Sequence, residues 1–242
     1  MSQFKFAIIL SASVPKEGRS DKFLKIPNAQ IQIEEAIIGL ARNVFENGGR
    51  LIFGGHPSIS PLVAMVATEF DLNQNLEDAS PSQVKHITIY QSKAFESIIA
   101  DKTRYLSDLG YAQIIWTDTV DNEDPEMEFP GNIRCPKSLE FMRREMMKNN
   151  ADAMVVIGGM EGVEQEFELF REQHANKPIY LFEKTGGAAK ELTEQISNYQ
   201  NVIIAEKRFE VIDTTQIIED EPIEIIPFSL ITGLIVEEIL NK

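Results

Sequence analysis

Basic residues, cysteine and long apolar runs are all scarce in this sequence. Only 23 Lys and Arg stand against 38 Asp and Glu, so the formal net charge is -15. A surface of that sign repels nucleic-acid backbones and anionic membranes, since binding either requires a basic face. Neither partner is expected, and any anionic ligand must be held by a local set of Arg, Lys and backbone N–H groups. The one cysteine, Cys135, excludes a disulfide within the chain and fits a reducing cytoplasm. Standing just before Pro136, it reads as a packing or surface residue. With three histidines and one cysteine there is no zinc ligand set. The acids between residues 119 and 128 match no EF-hand spacing. No metal and no cofactor is expected. No run approaches the ~20 apolar residues that span a bilayer. The N-terminal MSQFKFAIILSASVP lacks the length and the basic leader of a signal peptide, so a soluble cytoplasmic location is expected. Repeats, low-complexity tracts and flexible linkers are missing too. Residues 1–242 therefore read as one domain, long enough at 43% hydrophobic to bury a sizeable core.

What is present alternates. Apolar runs of strand length stand at 4–10 (FKFAIIL), 50–53 (RLIF), 85–90 (KHITIY), 111–117 (YAQIIWT), 152–157 (DAMVVI), 178–182 (PIYLF) and 201–205 (NVIIA). Between them, helices are expected over 29–47, 58–70, 95–108, 136–150, after the IGGMEGVEQEF stretch through about 174, and 188–198, with a terminal amphipathic helix over 227–240. In the first, Ile33, Ile37, Leu40, Ala41 and Val44 recur at helical spacing before Asn47-Gly48-Gly49 stops it. Ser58 is a candidate N-cap for the second, with Pro61 tolerated in its first turn. Residues 11–28, 71–84, 118–135 and 206–226 read as loop or irregular. Strands that are apolar throughout, alternating with helices, argue a mostly parallel, doubly wound α/β sheet with helices on both faces.

Three of these strands run into glycine pairs: Gly54-Gly55, Gly158-Gly159 and Gly186-Gly187. In a parallel sheet the carboxyl ends of the strands share one edge, and ligands bind in the crevice there. Helix N-termini on that edge offer unpaired N–H groups and partial positive charge to phosphate. A glycine pair also serves a tight strand-to-helix turn without any ligand; three on one edge raise the case for a nucleotide or sugar-phosphate site. Neither G-x-G-x-x-G nor G-K-[ST] occurs after any strand, so this is not a dinucleotide fingerprint or a P-loop. His56 follows the first pair and is a candidate phosphate donor. Lys16, Arg19, Lys22 and Lys25 follow the first strand, either as counter-charge at the same edge or as solvated loop. Tyr90, Gln91, Ser92 and Lys93 end a strand on that edge and are weaker candidates. His86 and His174 read as structural.

Residues 142–166, MRREMMKNNADAMVVIGGMEGVEQE, bring a family into view. The segment resembles the signature of the Lonely Guy (LOG) nucleotide hydrolases, a helix with Arg-Lys and a later Met, then A-D-A, an apolar strand and P-G-G-x-G-T-x-x-E. Arg143 and Arg144 fall on the basic pair, Met147 on the later Met, Ala151-Asp152-Ala153 on A-D-A, and Gly158, Gly159 and Glu166 on the closing motif. Lys177-Pro178-Ile179 resembles the start of the family's next strand. Ile157 stands in place of the proline and Val163 in place of the threonine, and Gly162 meets the third glycine only across one inserted residue. The pattern is similar to the wider SLOG superfamily, which unites LOG with the DNA-processing DprA proteins. Its sensor versions in Thoeris-type antiphage systems share a G-G-H-P-S-type first turn and a late T-G-G-A-A turn, here Thr185–Ala189.

The resemblance implies a modified Rossmann-like fold and recognition of a nucleotide-derived small molecule such as ADP-ribose or a cyclic ADP-ribose. It implies a ligand site of Gly54, Gly55, His56, Arg143, Gly158, Gly159, Gly162, Glu166, Thr185, Gly186 and Gly187. As a sensor, Arg143 would grip phosphate and Glu166 ribose hydroxyls, with the Gly158 and Gly159 amides facing the anion. The alternative is a nucleoside 5′-monophosphate phosphoribohydrolase in which Glu166 and Arg143 are catalytic at the N-glycosidic bond. Apart from the family, Arg143 and Arg144 fit a surface ion pair, and Glu166 fits an acid on the first turn of a helix, where the dipole favours it. A sensor without its own effector domain implies a homodimer or higher homo-oligomer, or an effector protein partner. The apolar stripe Leu230, Ile231, Leu234, Ile235 and Ile239 of the last helix is either core or a dimer element.

Overall fold

The computed structural model describes residues 4–15, 29–71, 85–129, 133–195, 199–209, 216–218, 221–223 and 226–242. Seven strands build one sheet: β1 (Ala7–Ser13), β2 (Arg50–Gly54), β3 (Ile87–Ser92), β4 (Ala112–Thr117), β5 (Ala153–Gly158), β6 (Ile179–Phe182) and β7 (Val202–Ile204). Their order is β4-β3-β2-β1-β5-β6-β7, and every neighbouring pair is parallel. The chain winds outward in one direction from β1 to β4, then returns to the other side of β1 for β5 to β7. The strand order therefore reverses between β1 and β5, and that is where the crevice of a doubly wound sheet opens.

Successive side chains of a strand point to opposite faces, so a strand covered on both must be apolar at every position. Ile8 and Leu10 face α1 (Ala29–Glu46), α2 (Ser60–Asp71) and α8 (Phe228–Leu240), in a core with Ile37, Leu40, Phe53, Val155 and Ile235. Ile9 faces the other way, toward α4 (Pro136–Met147), α5 (Glu161–Gln173) and α6 (Gly187–Thr193), with Ile52, Met146, Met154, Phe167 and Phe170. Each such side chain contributes roughly 1.5–3 kcal/mol by leaving water. Helix α1 ends where its glycines dictate. Gly49 N–H bonds the Val44 carbonyl and Gly48 N–H bonds Phe45, the paired bonds of a Schellman stop.

Several boundaries differ from the sequence expectation. The first strand runs on to Ser13, because the ladder to β5 continues through Ser11↔Val156, Ala12↔Ile157 and Ser13↔Gly158. Helix α2 begins at Ser60, not Ser58; the Ser58 hydroxyl bonds the His56 ring instead. The helix expected over 95–108 is split into a 3-10 turn, Lys93–Ile98, and α3 (Asp101–Asp108), since Ile99 and Ala100 are extended. The helix expected to 198 ends at Thr193. The segment 206–226, expected to be irregular, holds the end of α7 (Ala205–Arg208) and an antiparallel pair, β8 (Gln216–Ile218) with β9 (Glu221–Ile223). In the acidic stretch before α4, Glu123 is a cap: its carboxylate accepts from the backbone N–H groups of Lys137 (3.2 Å) and Ser138 (2.8 Å). Cys135 is buried. Lys16, Arg19, Lys22 and Lys25 lie outside the described residues. Among the described residues, no helix is long and apolar enough to cross a membrane.

The stripe of α8 is resolved toward core. Ile231, Ile235 and Ile239 are buried against α1, whereas Leu230 is 59% exposed. The two helices approach closely at Gly39, where an added Cβ would stand 3.1 Å from Ser229 Cα, and Asn43 Nδ2 donates to the Ser229 carbonyl and to Thr232 Oγ1. Ile235→Ala should therefore lower the unfolding free energy by about 2–5 kcal/mol, independently of protein concentration. Urea denaturation at two concentrations checks this; a loss under ~1 kcal/mol, or one that appears only at high dilution, contradicts the core placement.

Candidate functional site

A carboxylate lies buried beside the strand-order reversal. In α5 the residues Val163, Glu166, Phe167 and Phe170 form the buried stripe, so Glu166 occupies a core-facing position. Its side chain is only 12% exposed. Ser11, on the same face of β1 as Ile9, donates its hydroxyl to Glu166 Oε2 at 2.5 Å. Arg143, from α4, brings its Nε to 3.4 Å from Oε1 and donates Nη1 to Gln165 Oε1 at 2.8 Å. At 3.4 Å the Nε contact is a charge contact rather than a formed hydrogen bond. Among the described residues, this buried Nε has no hydrogen-bond partner.

Burial pushes the Glu166 carboxyl above its ordinary value, and the Arg143 charge and the Ser11 hydroxyl pull it back only in part. Two glycines border the pair. An added Cβ on Gly54 would stand 3.9 Å from Glu166 Oε1, and one on Gly162 would stand 2.7 Å from Arg143 Nη2. The arginine thus lies against the first turn of α5, whose N-cap Met160 makes no side-chain cap bond. Ser11, Gly54, Arg143, Gly162 and Glu166 converge, drawn from β1, β2, α4 and α5.

The other expected residues sit differently. The Gly158 and Gly159 amides do not face an open crevice. Gly158 N–H bonds Thr185 Oγ1 at 2.8 Å, and Gly159 N–H bonds the Ser13 carbonyl at 2.8 Å. The expectation that these amides cradle an anion is corrected: both are engaged inside the protein. The Thr185 hydroxyl is fully used as well, since it also donates to the Phe182 carbonyl at 2.6 Å. Gly186 and Gly187 serve the packing of one turn on another. Gly187 has φ +58°, and a Cβ there would stand 2.5 Å from the Gly159 carbonyl oxygen. Ala188 N–H bonds that same oxygen at 2.9 Å. The second and third glycine turns are thereby locked backbone to backbone.

At the first turn, His56 Nδ1 lies 2.7 Å from Ser58 Oγ and accepts from Ser58 N–H at 3.2 Å. Ser58 Oγ in turn receives Val14 N–H at 3.4 Å, tying the turn after β2 to the end of β1. With Nδ1 accepting from the backbone, the ring is assigned the Nε2–H tautomer. His86 Nδ1 meets the Gly49 carbonyl at 2.8 Å and His174 Nε2 the Met147 carbonyl at 2.7 Å, both structural. Arg144 pairs with Glu140 on the surface, as the family-free reading of a surface ion pair has it. Ser11 was not among the expected site residues, although serines at 11 and 13 in an otherwise apolar strand are a signal for it. No group of three His, Cys, Asp or Glu suited to a metal ion occurs among the described residues.

The raised Glu166 value sets a pH dependence. The folded chain holds this proton more tightly than the unfolded one. Its contribution is fully present below the ordinary value of 4.5 and is lost as pH rises through the raised value. The stability of the native chain relative to Glu166→Gln should therefore fall as pH rises above 4.5. Denaturant titrations across a pH series check this; a difference that stays level or grows with pH contradicts burial as the dominant influence.

Comparison with known proteins places this chain in a family. No curated protein sequence matches the chain. Among solved structures, the X-ray structure of TM1055, a structural-genomics target, is 15% identical over 82% of this chain and 90% of its own, with a TM-score of 0.47. The family model described as the SLOG cluster3 family matches residues 23–216, a span from before α1 to the first residue of β8 that includes Arg143, Glu166 and all three glycine turns. The chain belongs to the SLOG cluster3 family.

Proposed function

We propose that residues 1–242 form one domain that binds a nucleotide-derived small molecule in the crevice outside β1, β2 and β5. The observation that carries this reading is the Arg143–Glu166 pair, buried at the strand-order reversal with the Arg143 Nε lacking a formed hydrogen bond. A buried guanidinium with an unused donor is suited to a phosphate oxygen, which it engages through parallel N–H bonds. Glu166, ordinarily an acceptor, suits ribose hydroxyls. The engaged amides of Gly158 and Gly159 leave the uncapped first turn of α5, at Glu161 and Gly162, as the backbone donors for the anion. The ligand we favour is an ADP-ribose or cyclic ADP-ribose type signal, read in the cytoplasm as part of antiphage defence. Output then passes through homodimer or higher assembly, or through an effector protein. Neither nucleic acid nor membrane is a partner of so acidic a chain.

A second reading is supported by one observation. A carboxyl held above its ordinary value by burial suits proton donation to a leaving base, as in an N-glycosidase. Glu166 would then be catalytic, with Arg143 on the 5′-phosphate of a nucleoside monophosphate.

Thermal denaturation with AMP, ADP-ribose, cyclic ADP-ribose isomers and nicotinamide nucleotides tests the binding reading. A cognate compound at about 100 times its dissociation constant should stabilise the chain by roughly 2.7 kcal/mol, and Arg143→Ala should abolish the shift. No shift with any of them overturns it. Incubation with AMP separates the second reading: free adenine that forms with the native chain and not with Glu166→Gln establishes hydrolysis, and its absence leaves binding alone.

A further inference from the structure

The carboxyl end of β3 carries a polar group that the fold itself does not use. Gln91 is 7% exposed as a residue, its side-chain amide forms no hydrogen bond among the described residues, and that amide is not wholly shut off from solvent. Its donor and acceptor are met by solvent there and are available to a ligand. Gln91 lies on the face of β3 occupied by Ile87 and Ile89, toward α2 and α3. Its Oε1 fills the space where a Cβ on Gly55 would stand, so residue 55 must be glycine for the amide to lie there. Gly55 itself has an ordinary backbone conformation and bonds the Tyr90 carbonyl at 2.9 Å. The absence of a side chain is used here for close approach and not for a strained turn.

Gly54 and Gly55 therefore separate two polar groups on opposite faces of the same edge. Glu166, paired with Arg143, lies by Gly54 on the α4–α5 side, and the Gln91 amide flanks Gly55 on the α2–α3 side. Strands lie about 4.8 Å apart, which puts β3 about 10 Å from β1 across β2. That is the reach of a nucleotide from phosphate to base. A glutamine amide presents one donor and one acceptor side by side, the complement of the N6 and N7 edge of adenine.

We propose that Gln91 is the specificity-determining residue of the site and reads the donor–acceptor edge of a purine of the adenine type, laid over the bare Gly54–Gly55 backbone. The inference rests on the nucleotide-binding reading above, and the test separates the two. AMP and ribose 5-phosphate differ only in the base. Calorimetric titration of the native chain should show AMP binding roughly 5- to 150-fold more tightly than ribose 5-phosphate, the range of one two-point amide–base contact. Gln91→Ala should bring that ratio close to one and leave the affinity for ribose 5-phosphate unchanged. Gly55→Ala should likewise bring the ratio close to one with Gln91 intact, because the new methyl displaces the flexible end of that side chain. Arg143→Ala should weaken both ligands alike. A ratio that survives in Gln91→Ala, or a native chain that does not prefer AMP, overturns the role of Gln91 while the binding reading stands. A native chain that binds none of AMP, ribose 5-phosphate, ADP-ribose, the cyclic ADP-ribose isomers and the nicotinamide nucleotides overturns both.

Discussion

A carboxylate on the core-facing stripe of a helix is the constraint from which the rest of the site follows. Glu166 stands among Val163, Phe167 and Phe170, where an apolar residue would pack at no electrostatic cost. Ionised and alone there, it would lose several kcal/mol of hydration. The fold answers with two groups from separate elements, the Ser11 hydroxyl from β1 and the Arg143 guanidinium from α4. Neither answer is complete, because the carboxyl stays above its ordinary value and Arg143 Nε stays without a formed hydrogen bond. Replacing such a pair by apolar residues of similar volume is often neutral or stabilising, so folding alone does not call for it, and the proposed ligand would.

The position of the pair is as informative as its chemistry. A sheet that winds outward from β1 in both directions leaves an opening at that strand's carboxyl end, and helices on either side of it diverge. Ser11 from β1, Gly54 after the core of β2 and the start of α5 after β5 all meet at this opening. The lock between the turns at Gly158-Gly159 and Gly186-Gly187 holds the β5 and β6 ends rigidly beneath it. Binding residues held on such a rigid base need little reordering when a ligand arrives.

Much of this was legible in the sequence. Apolar strands between amphipathic helices specified a parallel doubly wound sheet, because covering both faces leaves no polar positions. The resemblance of residues 142–166 to the LOG signature implied that Arg143 and Glu166 meet at one edge. What the residues could not convey was the use of the backbone. A glycine pair that cradles an anion and one that packs against another turn are written alike, and only the bonds of Gly158 to Thr185 and Gly159 to Ser13 separate them. Ser11 was obscured for a related reason: a serine after an apolar run resembles a strand end until the ladder to β5 carries it inward. Glu123 lies in a stretch that reads as irregular, although its carboxylate caps α4. Long-range partners decide each case, and they are set by the fold rather than by neighbours in sequence.

The central claim is that the Arg143–Glu166 pair is a ligand grip rather than a structural ion pair. A crystal structure of the chain soaked with ADP-ribose tests it most directly. The account predicts a phosphate oxygen within hydrogen-bond distance of the Arg143 guanidinium and ribose hydroxyls at Glu166, with the ligand running over Gly54 and Gly55. A ligand bound at another edge of the sheet, with the Arg143–Glu166 contact unchanged, would contradict it.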